Sequence, residues 1–229
     1  LVFIGETHSF PAADFAERTV AAFADRQWAV VVPALCNANP RGVLSWSGFL
    51  CDYGPWAPEL PEGETMDIPV YNATFRRDRL LALGERLPAA LDQSDDLVTA
   101  FRAAGWQALF LPSTCVFHAN AAELWAWVHN RFLVGHLVSA NRSRTWRWPR
   151  RMLYASGAFL VPAVLLPRLI PGWRVRVDRG PAGTMAAVLL ALVLRAAGET
   201  MGYAGLFVRS AEAGMLACEL HKLDRLGRR

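Results

Sequence analysis

The stretch Leu1-Val2-Phe3-Ile4-Gly5-Glu6-Thr7-His8-Ser9-Phe10-Pro11 decides how the rest of this 229-residue chain reads. Four apolar residues in a row predict a buried parallel strand, and the polar residues after them predict its end. Glu6 and His8 are both ligand-type side chains, one residue apart. At the tip of a strand that breaks into a loop, both can turn toward one cation, and open α/β sheets bind ligands at that edge. A carboxylate with an imidazole suits Mn²⁺ or a similar ion better than a strictly oxygen-preferring one. The plainer alternative is a loop Glu and His serving only as hydrogen-bonding groups. No basic leader precedes the apolar run, so it does not read as a signal peptide. The expectation is a fragment whose N-terminal part lies upstream.

Working outward, Pro11 to Ala24 predicts a helix with Asp14 and Glu17 in its first turn, where the helix dipole favours negative charge. Trp28 to Leu35 predicts a second strand. Asn37 to Trp56 predicts a loop and short helix forming one wall of a site, and Pro58 to Asp67 a surface loop. Ile68 to Tyr71 predicts a short strand, and Asn72 to Leu83 a turn into a helix stopping at Gly84. Ser94 is a candidate cap for a helix ending at Gly105. Trp106 to Leu111 reads as a strand closed by Pro112, with Cys115 to His118 extended and a helix from Ala121 to Val138. This order lets His118 reach the sheet edge of Glu6 and His8, as a third ligand or as a buried histidine bonded to backbone. Asp92, Asp95 and Asp96 gather at a helix start. They serve either as caps or as a carboxylate that takes a proton from an attacking hydroxyl.

Composition divides the chain. With 53% hydrophobic and 19% charged residues it is no disordered tail. Four cysteines, at positions 36, 51, 115 and 218, show no CxxC spacing, which argues against a zinc site and fits a reducing compartment. Residues 1–130 carry 8 Arg and 15 Asp plus Glu, a balance of −7, while residues 131–229 carry 16 Arg plus Lys and 5 acids, a balance of +11. Arg142 to Arg151 (RSRTWRWPRR) holds five arginines and two tryptophans. It leads into the apolar stretches Met152–Ile170 and Thr184–Phe207, either core or interfacial helices or a hairpin through a membrane. Arginine and tryptophan beside apolar helices suit a cytoplasmic membrane interface, so membrane phosphates are better partners for this run than nucleic acid.

The ordered series resembles family-2 glycosyltransferases of the GT-A fold. In that family an apolar strand ends in Asp-x-Asp before a short segment and a helix; here Glu6-Thr7-His8 stands in that place. Asn72-Ala73-Thr74-Phe75-Arg76-Arg77-Asp78-Arg79-Leu80 is similar to the family's "ayRRd.L" segment. Gln93-Ser94-Asp95-Asp96-Leu97, Arg102, Gly105, Leu109, Pro112 and His118 match its "EDxdL…R…aG…P…H" series. Phe132 to Trp146 resembles "f..G…..R..rW". The resemblance implies an α/β fold: a partial GT-A mixed sheet over residues 1–141, lacking its nucleotide-binding part, then a basic linker and membrane-associated helices over 142–229. It implies an inverting transfer of a sugar from a nucleotide-sugar donor to a glycan or lipid-linked acceptor at the cytoplasmic membrane face, with membrane lipids as partners and no nucleic acid. Glu6, His8 and His118 would hold a divalent metal, Mn²⁺ or Mg²⁺. The family's acidic pair falls on Gln93 and Ser94, so the base shifts to Asp95 or Asp92, or catalysis is weak or altered. Asn72, Trp46 and Trp56 would meet the acceptor, with a core role open for the tryptophans, and Arg142 and Arg144 a diphosphate or lipid head group.

Overall fold

The computed structural model describes the chain except residues 26, 70, 93, 175–179 and 223–229, and the side chains of 92, 94–96 and 171–174 also lie outside the described residues. The chain divides into two compact units. The first, residues 1–36 and 55–118, is built on a curled mixed sheet; the second, residues 37–54 and 119–229, is helical. These units do not part at residue 141. The segment 37–54 and the helix at 124–142 both pack on a late apolar helix, which draws them into the helical unit.

In the sheet unit the strands are β1 (Val2–Ile4), β2 (Ser9–Pro11), β3 (Trp28–Asn37, whose last residue enters the helical unit), β4 (Gly63–Thr65), β5 (Ala73–Phe75) and β6 (Gln107–His118). Their order is β1-β5-β3-β6-β2, with β4 also on β6. β3 is a run of buried residues because both its faces are covered. Val30 and Val32 join Phe75, Leu97, Phe101 and Phe110 on one face, while Val31 joins Phe23, Leu109 and Leu111 on the other. Burial on both faces is why the strand reads as continuous apolar sequence rather than alternation. The helices of this unit are α1 (Phe15–Ala22), α3 (Arg77–Leu81), α4 (Leu87–Asp92) and α5 (Ser94–Ala103).

Several sequence expectations are corrected. β1 is antiparallel to β5, not parallel, and only half covered, with Phe3 36% exposed, because β5 is its one neighbour among the described residues. The strand expected at Ile68–Tyr71 falls instead at Ala73–Phe75, inside the stretch read as a turn. The surface loop at 58–67 contains β4, which pairs with Ala108–Phe110. Pro112 does not close a strand; it lies within the twelve-residue β6. Proline has no N–H to donate, and Pro112 falls outside both the stretch 108–110 paired by β4 and the stretch 116–118 paired by β2.

The helical unit contains α2 (Val43–Tyr53), α6 (Leu124–Arg142), α7 (Trp148–Gly157), α8 (Val161–Arg174), α9 (Thr184–Ala204) and α10 (Val208–Leu220). Glu123 starts α6 by accepting hydrogen bonds from the backbone of Trp125 and Ala126. α6 and α9 pack backbone to backbone. A Cβ on Gly198 would overlap the Phe132 carbonyl, and one on Gly202 the His136 carbonyl. Gly198 and Gly202, four apart on one face of α9, are what permit this approach. Trp148–Ile170 and Thr184–Ala204 are long and apolar enough to cross a membrane. Only 11% of the first apolar window is buried in protein, against 44% of the second.

Candidate metal centre

Two short antiparallel ladders build the site from the Glu6–His8 turn outward. β2 pairs with the end of β6 in the register Ser9↔His118, which sets His8 beside His118. β1 pairs with β5 in the register Ile4↔Ala73, which sets Asn72 beside Glu6. Residues far apart in sequence are thereby brought to one point by backbone pairing.

The two imidazole rings meet edge to face, with His8 Nε2 2.8 Å from His118 Nε2. Glu6 Oε2 lies 3.2 Å from His118 Nε2 and 3.9 Å from His8 Nε2. Both histidines are buried and Glu6 is partly so. The three ligand atoms fall within 4.8 Å of one another, and among the described residues this is the cluster of its kind. Atoms bound about 2.1 Å from one cation are roughly 3.0–3.4 Å apart in octahedral or tetrahedral geometry. The observed separations straddle that range, so the residues fit a divalent ion. Two neutral imidazoles and one carboxylate suit Mn²⁺ or another transition ion better than Mg²⁺, which prefers oxygen.

Asn72 orients the carboxylate. It is fully buried, and its Nδ2 donates to Glu6 Oε2 at 2.6 Å while its Oδ1 accepts from the Glu6 backbone N–H at 3.4 Å. Its backbone N–H donates to the Ile4 carbonyl at 2.5 Å. Asn72 has φ 64°, in the left-handed region where asparagine is among the few side chains tolerated. The resemblance implies that Asn72 meets the acceptor; in the structure its side chain is buried against the Glu6 carboxylate and restrains it, as outer-sphere partners restrain a carboxylate that binds metal.

The other expected site residues lie elsewhere. Trp56 is half buried on the sheet unit's core and donates its Nε1–H to the Asp67 carbonyl at 2.8 Å. Trp46 is buried within α2 of the helical unit, edge to face with Phe49. Arg142 and Arg144 are exposed at the end of α6, and Arg142 reaches the Tyr203 hydroxyl. The side chains of Asp92 and Asp95 lie outside the described residues.

Two polar arrangements in the helical unit carried no clear sequence signal. Arg131 of α6 makes a two-point ion pair with Asp52 of α2, at 2.8 and 2.6 Å, and Asp52 holds its guanidinium charged well above the usual arginine range despite burial. Beside it, burial pushes the Cys51 thiol up to about 11. Asn37, Asn39, Ser45 and Asn120 form a second knot, with Asn120 donating to both Asn37 and Asn39. An alternation of small polar residues in a loop does not announce such partners. On the sheet unit's surface, the Arg18 guanidinium holds the Asp14 carboxyl below the usual carboxylate range.

No family model matches this chain, and no curated protein or solved structure matches it either.

Proposed function

We propose that the chain is the metal-binding and membrane-associated part of a glycosyltransferase with a GT-A-like sheet, moving a sugar from a nucleotide-sugar donor to a lipid-linked or polysaccharide acceptor. The observation that supports it is the convergence of Glu6, His8 and His118, separated by up to 112 positions, on one point at a sheet edge. The same three positions stand where the resemblance puts metal ligands.

A divalent cation there supplies neutralisation of the charge that develops on a leaving diphosphate. Glu6 contributes one negative charge and the neutral imidazoles none, so an ion held by these three groups keeps a net positive charge to offer. Asn72 keeps the Glu6 carboxylate from swinging away. Buried histidines keep water from competing on the protein side. Asp95 or Asp92 takes the proton from the acceptor hydroxyl as its oxygen attacks the anomeric carbon opposite the leaving diphosphate, a direct displacement that inverts that carbon. The two long apolar helices support a place at the membrane, and the arginine run before the first supports the cytoplasmic face.

The test is sugar-nucleotide turnover by the full-length protein, with Mn²⁺ supplied. Glu6→Gln, His8→Ala and His118→Ala should each remove metal-dependent turnover, and Asp95→Asn should remove it with metal binding kept. Turnover unchanged by the first three would overturn the metal assignment. A second reading, a non-catalytic relative that binds sugar nucleotide or acceptor at the membrane, rests on Gln93 and Ser94 standing where the resembled family carries acids. It predicts metal binding without transfer, and transfer abolished by Asp95→Asn would exclude it.

A further inference from the structure

The turn between α6 and α7 carries an aromatic block with arginines seated on and beside it. Trp146 stacks nearly parallel to Tyr203 of α9, at 5.9 Å and 11°, and Tyr154 of α7 closes the third side at 4.7 Å from Trp146 and 5.5 Å from Tyr203. Arg150 lies over the Trp146 ring at 3.9 Å. Arg151 Nε donates to the Tyr203 carbonyl at 2.8 Å, and Arg142 Nη1 to the Tyr203 hydroxyl at 3.4 Å. Arg144 and Arg147 stand exposed beside this block. No Asp or Glu occurs in the sequence between Glu123 and Asp178 to neutralise them.

Two features adjoin here, and each excludes a different simple account. A free phosphate or a nucleic acid would answer the arginines, but not the apolar segment 148–170, which begins within the same run and has only 11% of its most apolar stretch buried. A partner protein's apolar groove would answer that segment, with Leu153 67% and Phe159 73% exposed, but not five arginines at its head. An anionic bilayer answers both. Its hydrocarbon covers the apolar face, and its phosphates lie where the segment leaves the headgroup layer. Guanidinium groups take phosphate oxygens two at a time, and exposed Trp148 suits the same layer.

We infer that Arg144, Arg147 and Arg150, set by the Trp146–Tyr154–Tyr203 block, bind the phosphates of anionic phospholipids and fix the depth at which the segment 148–170 enters the bilayer. This rests on the membrane part of the reading above and is independent of the metal centre. Each arginine near an anionic surface favours that lipid about fivefold.

The experiment reconstitutes the full chain in vesicles of equal phosphatidylcholine and phosphatidylglycerol, with brominated acyl chains on one lipid at a time, and reads quenching of tryptophan fluorescence. The expected result is stronger quenching by brominated phosphatidylglycerol, severalfold in relative association, falling to near parity in the double variant Arg144→Gln, Arg147→Gln. Arg77→Gln, in the exposed start of α3 on the sheet unit, should keep the preference. Equal quenching by the two lipids in the natural sequence, or a preference untouched by the double variant, would overturn the inference while leaving the membrane reading standing. No quenching by either lipid would overturn both.

Discussion

At the scale of single residues, Asn72 separates backbone from side-chain function. Its left-handed φ and its grip on Glu6 are distinct properties, and substitutions can remove them one at a time. Asn72→Gly keeps the backbone easy and loses the grip, so the fold should stay within about 1 kcal/mol by chemical denaturation. Cation affinity of that variant, read by calorimetric titration with Mn²⁺, should fall about 10- to 100-fold. Asn72→Val would lose both, since a β-branched residue resists that φ. Cys51 gives a second residue-scale expectation. With its thiol pushed up to about 11, its alkylation by iodoacetamide should be slow at pH 8 and climb about tenfold per pH unit until that value. The sign for stability follows from proton counting. Between the ordinary thiol value and about 11 the folded chain keeps a proton that the unfolded chain releases, so this group's contribution is full below that window and declines as pH rises through it. Glu6, His8 and His118 were legible as candidates because ligand-type side chains followed apolar runs. The role of Asn72 was not, because it depends on the β1–β5 register, and register is a property of two strands rather than of one segment.

At the scale of elements, the α6–α9 pair is the tightest joint in the helical unit. Gly198→Leu inserts a side chain where a carbonyl already stands, so the helices must separate or the backbone must bend. The expected cost is at least about 1–3 kcal/mol, measured as unfolding in detergent, with Leu189→Ala on an exposed position of α9 as the near-neutral comparison. The Arg131–Asp52 pair joins α6 to α2. Arg131→Met removes the two-point partner of the partly buried Asp52 carboxylate and should cost about 1–3 kcal/mol, whereas the double change with Asp52→Leu should recover much of that. Elements were legible where one segment carried its own signal: β3 from its valines, α5 from Ser94 and Gly105, α6 from its periodicity. They were misread where pairing decides. β4 is three residues in a loop-like composition and exists because β6 offers it an edge. Pro112 looked like a terminator because a sequence does not show that β4 and β2 take separate stretches of one long strand on either side of it.

At the scale of the whole molecule, the charge division has two physical meanings. The acidic half supplies the sheet unit and its Glu6 carboxylate; the basic half supplies two long apolar helical segments, of which the first has little protein cover. The unit boundaries differ from the charge boundary because residues 37–54 leave the sheet early and return as part of the helical core. Calorimetry with Mn²⁺ tests the sheet unit as a whole. Its unfolding midpoint should rise with cation concentration in the natural sequence and stay fixed in His118→Ala. The reason lies in the span of the site. His8 and His118 are 110 positions apart, so a cation shared between them would act as a reversible cross-link around nearly the entire sheet unit. It would bind only once β2 had paired with β6, and at about a hundred times its dissociation constant it would add roughly 2.7 kcal/mol to the folded state. A chelator would then loosen the scaffold as well as empty the site, and the supply of metal would govern how long the folded chain persists.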